Sequence, residues 1–256
     1  MGGEEHHTSS AHVTPQQRGI SSFVLKIAAI FGMTMNHAAY IFGDTLPFWA
    51  RCVLFAGGGL TFPIMAFLLV EGYRHTSNIA RYASRLGIFA LVSQIPYGLF
   101  LAANLNVLFT LLMGLGVLWL DDNARNRALF WTGLAAGAVL SLACDWGFLG
   151  IIMIYLFKNL RGERTAIVAP VGLAIFATGM PQLAELAAGA PTGDWSALPF
   201  ALYPLIGCSL TIPLLSSYNG QRGRPMKWFF YAYYPAHIAV LGSLYVSIFG
   251  TLPHII

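Results

Sequence analysis

The sequence is poor in charge. Only 9% of its 256 residues are Asp, Glu, Lys or Arg, whereas an average soluble domain carries about a quarter charged residues. So few charges could not cover the surface of a soluble protein, and that class is excluded. Hydrophobic residues make up 57% of the chain, in segments long enough to cross about 30 Å of hydrocarbon as helices. We predict an all-α, polytopic transmembrane helical bundle.

Cysteines and soluble catalytic motifs are also scarce. The three cysteines, Cys52, Cys144 and Cys208, lie far apart, which excludes a disulfide framework or a zinc knuckle and predicts small core residues. The sequence contains no GxSxG, HExxH, GxxxxGK[ST] or GxGxxG motif, so soluble hydrolase, zincin and nucleotide-binding sites are not indicated. Any activity must lie in the spans and at their ends.

The N-terminal region differs from the rest. Residues 1–19 are polar and contain no apolar segment of their own, which predicts a disordered tail rather than a signal peptide. We expect residues 20–256 to form a single transmembrane domain. The tail histidines His6, His7 and His12 are predicted to be solvated, and no metal is predicted.

We predict about nine spans, with a range of eight to ten. They cover residues 22–43, 49–70, 83–101, 105–120, 128–144, 147–160, 165–186, 198–216 and 228–249. In the third and fourth spans, the phrase PYGLFLAANLN, which begins at Pro96, predicts a broken helix.

Basic residues predict the orientation, because Lys and Arg are retained on the cytoplasmic side. Nine spans place the basic loops on one face together with the N-terminus. Of the 14 Lys and Arg residues, only Arg51 falls on the other face, with Asp44, Asp145, Glu185 and Asp194. The N-terminus is therefore predicted to be cytoplasmic and the C-terminus external.

Two histidines lie at matching depths in the first and last spans. His37 is eleven residues beyond Lys26, and His237 is ten residues beyond Lys227, so each lies roughly 15 Å deep at about 1.5 Å per residue. They could bridge two helices by hydrogen bonds, or form a titratable pair in a wet cavity.

Other polar or small residues in the spans have two interpretations each. The glycines at 57–59 allow close helix packing, which we favour, or line a cavity. Asn106 and Thr110 could face that cavity or bond to a neighbouring helix. On the outer side, Arg51 and Asp145 could form an ion pair or position an acceptor.

The basic inner loops are explained by topology alone, yet they could also bind a polyphosphate donor. The residues concerned adjoin the second and last spans, and they are Arg74, Arg81, Arg85, Arg222, Arg224 and Lys227. Glu71 and His75 lie four residues apart and could simply pair with each other.

Six motifs in order carry a family resemblance. They are GGGLTFPIMAFLLVEGYRHT, RYASRLGIFALVSQIPY, LNVLFTLLMGLG, DWGFLGIIMI, YNGQRG and WFFYAYYPAHIAVLG, between residues 57 and 242. Together with Asn36 and His37 they resemble the TraX family, whose namesake acetylates the N-terminus of conjugative pilin. The family looks distantly similar to multi-span acyltransferase-3 proteins. The resemblance implies an acyltransferase that uses acetyl-CoA and lies in the bacterial inner membrane.

The resemblance also implies site residues. His37 matches the histidine of the family's first span, and the other matched positions are Arg51, Glu71, His75, Asn106, Asp145 and His237. Asn36 stands where the family commonly has Asp, and as a catalytic-site residue it could orient the imidazole of His37, although an amide cannot stabilise the protonated form as a carboxylate would.

These roles follow from the resemblance and the depths. His37 would be the general base, and His237 or Asn106 would stabilise the oxyanion, although an acyl-histidine route stays open. Glu71, His75 and the six basic residues of the inner loops would hold the CoA. We expect four residues to contact the acceptor, namely Arg51, Asp145, Thr110 and Tyr234.

The expected partners are the lipid bilayer, acyl-CoA and a peptide, glycan or lipid acceptor, with no nucleic acid. Two other classes compete with the enzyme. A proton-coupled transporter would also use midplane histidines, and a structural membrane partner of a secretion assembly would leave the polar midplane unexplained.

Overall fold

The computed structural model describes residues 19–254, and all but the last residue of the predicted tail, including its three histidines, lies outside them. The described residues form helices and no strand, which confirms the all-α prediction. The helices are α1 Ser22–Ile41, α2 Phe48–Gly58, α3 Thr61–His75, α4 Ile79–Phe100, α5 Val107–Asn123, α6 Arg127–Leu140, α7 Gly147–Asn159, α8 Thr165–Gly189, α9 Leu198–Leu202, α10 Ser209–Ser216 and α11 Lys227–Phe249.

These helices fall at the positions of the nine predicted spans. Within the described part of the chain, five helical stretches are long and apolar enough to cross a membrane, and they are Ser22–Ile41, Phe48–His75, Thr165–Thr192, Leu198–Ser216 and Lys227–Phe249. The shorter apolar helices are Arg127–Ala143 and Gly147–Asn159. The chain is a helical membrane protein, and the count of nine crossings stays a prediction.

The second predicted span is interrupted between α2 and α3, at Gly59 and Leu60. The cause is close packing against a π-helical stretch, Tyr203–Cys208, that joins α9 to α10. A Cβ on Gly59 would overlap the Tyr203 carbonyl oxygen and would lie 2.8 Å from the Gly207 Cα. Glycine is required because only hydrogen fits between the two backbones. The packing interpretation of the glycines is therefore the one that the structure supports.

The predicted break at Pro96 is wrong. Helix α4 runs without interruption through this proline from Ile79 to Phe100. A proline removes one N–H and tends to kink a helix, but neighbouring helices can support it. Here α4 packs closely against α11 and α5, and the chain leaves the helix only after Phe100.

Helix α1 lies at the centre of the arrangement that positions the site. It packs against α2, α3 and α11, and α11 packs in turn against α4. Just before α1, the N–H of Ile20 donates to the Ser217 carbonyl at 2.8 Å, and the Ser22 hydroxyl donates to the Arg222 carbonyl at 2.9 Å. The loop 217–226 between α10 and α11 is thus attached to the start of α1.

The contact at Gly59 can be tested with a matched pair of substitutions. We expect Gly59→Ala to lower the free energy of unfolding by about 1–3 kcal/mol or more, because a methyl group would overpack the backbone contact. Gly116→Ala is the control, since its Cβ would meet no atom within 4 Å. Thermal unfolding in detergent measures both variants. Equal melting temperatures would contradict the account.

Candidate functional site

The two predicted midplane histidines meet. His37 on α1 and His237 on α11 are each 7% exposed, and the distance from His37 Nδ1 to His237 Nε2 is 2.6 Å. Their ring planes lie within 10° of each other. The two side chains therefore form a direct hydrogen bond between α1 and α11.

The hydrogen bonds assign the tautomers of the neutral pair. His237 Nδ1 lies 2.8 Å from the Tyr233 carbonyl oxygen, which can only accept, so Nδ1 carries the hydrogen. A neutral imidazole has a single N–H, so His237 Nε2 is the acceptor and His37 Nδ1 is the donor. The lone pair of His37 is therefore on Nε2, which no described side chain or backbone group engages.

A second polar contact joins the same helices. The Tyr233 hydroxyl lies 2.7 Å from Thr34 Oγ1, and the Tyr233 ring stacks on His237 with centroids 5.0 Å apart. Sequence reasoning missed Thr34 and Tyr233. The available signal was spacing, because Tyr233 precedes His237 by four residues and Thr34 precedes His37 by three, which places each pair on one helix face.

A large cavity lies on the predicted cytoplasmic side of the histidine pair. It has a volume of about 660 Å³ and lies between α1, α3, α4, α5, α11 and the loop 217–226. Its inner end, which is the end deepest in the protein, is lined by Met33, Leu108, Leu111 and Tyr234. Met33 lies about one helical turn from His37, and Tyr234 about one turn from His237. The cavity thus leads from the predicted cytoplasmic surface to the level just below the histidine pair.

The mouth of this cavity is basic. The predicted donor residues that line it are Glu71, His75, Arg85, Arg222, Arg224 and Lys227. Lys26 lines it as well, and sequence reasoning had used that lysine only to measure depth. The hydrogen bonds that attach the loop 217–226 to the start of α1 also hold the two loop arginines, Arg222 and Arg224, in place.

Arg74 and Arg81 do not line the cavity, so their expected place at the mouth is corrected. Arg74 pairs with Glu71 at 3.0 Å and donates to the Lys158 carbonyl at 3.1 Å, which turns it toward α7. Arg81 lies exposed in the first turn of α4. Helix geometry explains the error, since neighbouring positions point in different directions around the axis.

The suggested side-chain pair between Glu71 and His75 is also corrected. His75 Nδ1 lies 2.8 Å from the backbone carbonyl of Glu71, while the carboxylate of Glu71 bonds to Arg74. Near them, burial raises the pKa of the Tyr218 hydroxyl, and the Glu71 carboxylate raises it further. Tyr218 therefore stays protonated and adds a neutral donor to the mouth.

On the predicted outer side, the turn between α6 and α7 presents Asp145. Trp146 follows with a left-handed φ of 63°, and its ring stacks on Phe62 with centroids 4.2 Å apart. The Thr110 hydroxyl donates to the Asp145 carbonyl, so Thr110 holds the turn. The Asp145 carboxylate interacts electrostatically with four tyrosines, Tyr40, Tyr97, Tyr203 and Tyr234.

The predicted Arg51–Asp145 ion pair is absent from the described residues. Arg51 instead lines an outer recess of about 300 Å³ with Gln182, Glu185 and Phe200. Helix α2 packs closely against α9 and the π-helical stretch, and this packing turns Arg51 toward α8. Arg51 and Asp145, two of the four residues predicted to contact the acceptor, therefore lie in different places.

The two asparagines have structural surroundings. Asn106 caps α5, accepting from the N–H of Leu108 at 3.0 Å, and its amide group donates to the Ala90 carbonyl and to Gln94 Oε1, both at 2.8 Å. Its donors are used, so Asn106 has none to offer an oxyanion. The side chain of Asn36 faces Gly58, and no hydrogen bond joins Asn36 to His37 within residues 19–254.

Comparison with known proteins gives a consistent family. A family model described as TraX protein matches residues 21–245. The chain is also 30% identical over 240 residues to the probable fimbrial assembly protein FimC, serogroup H1, of Dichelobacter nodosus, covering 87% of this chain and 95% of the relative. No solved structure matches.

The contact between Thr34 and Tyr233 makes a prediction about stability. We expect a double-mutant cycle with Thr34→Val and Tyr233→Phe to give a coupling free energy of about 0.5–1.5 kcal/mol, because one hydrogen bond joins the two side chains. Unfolding in detergent measures it. The control pairs Tyr233→Phe with Thr178→Val, since Thr178 bonds only to its own helix at Ala174. Strict additivity of the first pair would refute the contact.

Proposed function

The chain belongs to the TraX family, and from this membership we propose that it is a membrane-embedded acyltransferase. It transfers an acetyl group from cytosolic acetyl-CoA to an amine or hydroxyl acceptor. The observation that carries the proposal is the basic-mouthed cavity, which ends just below a histidine whose Nε2 lone pair is free.

The cavity suits the donor in size and charge. Its volume of about 660 Å³ is within the range of about 300–1,000 Å³ typical of small-molecule sites. Five cationic side chains at its mouth are Lys26, Arg85, Arg222, Arg224 and Lys227, and Arg and Lys are the usual partners of phosphate oxygens. The CoA phosphates bind there, and the pantetheine arm extends inward along the apolar wall.

The thioester then lies at the inner end of the cavity. One helical turn, about 5 Å, separates Met33 from the level of His37. Met33 is an unbranched and adaptable side chain, so its movement can open the last part of the route. Helix rise places the histidines roughly 15 Å deep. The length of the pantetheine arm is of the same order.

His37 acts as the general base. Its Nε2 accepts the proton of the acceptor as the acceptor attacks the thioester carbonyl. The positive charge that develops on His37 is shared through Nδ1 with His237, and the Tyr233 carbonyl supports the far end of this chain. His37 then returns the proton to the CoA sulfur as the C–S bond breaks.

The acceptor class rests on the family and on the relative's name. The relative is named as a fimbrial assembly protein, so we propose a pilin subunit, modified at its N-terminal amine, as the first acceptor to test. An envelope glycan or lipid is the alternative. Such a reaction places the protein in the bacterial inner membrane, with the donor on the cytosolic side.

Removal of the base gives the direct test. Purified protein in lipid nanodiscs receives acetyl-CoA and hydroxylamine, a small amine that stands in for the acceptor, and free CoA is measured. We expect His37→Ala to lower the rate by about 10²–10⁴-fold, the usual contribution of a general base. His254→Ala is the control, because His254 is exposed beyond the end of α11. Full activity of His37→Ala would refute the assignment.

The mouth can be tested by binding. We expect Lys26→Ala and Arg222→Ala each to weaken CoA binding by about tenfold or more, since each removes a charge-assisted contact worth about 1.5–3 kcal/mol. Arg81→Ala should leave the affinity unchanged, because Arg81 does not line the cavity. Titration calorimetry in zwitterionic nanodiscs compares the three. An equal loss in all three would indicate a general surface charge effect and contradict the site.

A further inference from the structure

Tyr234 places a hydroxyl at the inner end of the cavity. Its side chain lines the cavity, the residue is only 2% exposed, and its hydroxyl hydrogen has no acceptor among the described residues. Buried polar groups nearly always have a partner, and one without deserves an explanation. A ligand in the cavity would supply that partner.

The position of this hydroxyl relates it to the histidine pair. The ring of Tyr234 packs edge to face on His37, with centroids 5.9 Å apart, and lies 5.7 Å from His237. The backbone of Val107, at the start of α5, faces the hydroxyl. A helix N-terminus carries partial positive charge, whereas the Asp145 carboxylate, which also acts on Tyr234, opposes that contribution.

Three other polar side chains near this level are already engaged, and Ser93, whose hydroxyl also lacks a partner, does not line the cavity. Asn106 uses its amide group on Ala90 and Gln94, Thr110 donates to the Asp145 carbonyl, and Thr34 bonds to Tyr233. Tyr234 is the neighbour that retains an unused donor and also lines the cavity.

We propose that the Tyr234 hydroxyl is the oxyanion donor of the reaction, in place of Asn106 or His237. The inference rests on the proposed acyl transfer. An acceptor amine attacks the carbonyl carbon, a C–N bond forms, and the π electron pair of the carbonyl moves onto its oxygen. Tyr234 donates a hydrogen bond to that oxygen and keeps its proton. His37 Nε2 takes the amine proton, the carbonyl re-forms, the C–S bond breaks, and the proton passes to the departing CoA sulfur.

The first test measures turnover. With acetyl-CoA and hydroxylamine in nanodiscs, we expect Tyr234→Phe to lower kcat about 10²–10³-fold, the usual loss for one oxyanion donor. Affinity for free CoA, which lacks the acetyl thioester carbonyl, should not change. Tyr245→Phe is the matched control, since Tyr245 is a buried tyrosine of the same helix outside the cavity. A merely structural role would alter CoA affinity and melting temperature instead.

The second test uses ground-state binding. S-ethyl-CoA is a thioether that lacks the carbonyl oxygen of acetyl-CoA. The unchanged protein should bind acetyl-CoA about five times more tightly than S-ethyl-CoA, because only acetyl-CoA can accept a hydrogen bond from Tyr234 at this position. Tyr234→Phe should bind the two equally. Lack of discrimination by the unchanged protein would overturn the inference even if the variant fails to fold.

The outcomes distinguish a failure of the Tyr234 role from a failure of the proposed acyltransferase function. One outcome is that the unchanged protein and Tyr234→Phe are equally active while His37→Ala is inactive. That result would overturn the role of Tyr234 and leave the proposed acyltransferase function intact. No CoA release above background by the unchanged protein, together with no saturable binding of acetyl-CoA, would overturn both.

Discussion

The hydrogen bond between His37 and His237 is the contact on which the rest of the site depends. It joins α1 to α11 at 2.6 Å in the buried interior, where an unpaired polar group is costly. The Tyr233 carbonyl sets the direction of the bond, and Thr34 with Tyr233 supports the same helix pair. This arrangement leaves one nitrogen, His37 Nε2, able to accept a proton.

The cavity gives that nitrogen a predicted cytosolic approach. Its apolar inner end and basic mouth arise from elements far apart in sequence, including α1, α4, α11 and the loop 217–226. The backbone bonds of Ile20 and Ser22 hold this loop against the start of α1. Arg222 and Arg224 are therefore attached to the same helix that carries His37.

Several site residues could be predicted because depth along a helix follows from residue counting. The histidine pair is the clearest case, since nearly equal separations from Lys26 and Lys227, eleven and ten residues, placed both rings at one level. Direction around a helix could not be counted in the same way. Arg74 turns toward α7, Arg51 toward α8, and Lys26 into the cavity, and each direction depends on the packing of a neighbouring helix. Likewise, the full use of the Asn106 amide depends on Gln94.

The sequence by itself determined the class of protein, the positions of the helices and the side on which the basic residues are predicted to lie. These properties depend on hydropathy and charge along the chain, which bilayer thickness converts directly into helices. Only the tertiary structure decided the break at Gly59, the cations that reach the cavity, the tautomers of the histidines and the free hydroxyl of Tyr234. Those features depend on how each helix is rotated against its neighbours, and rotation is chosen by packing over the whole bundle.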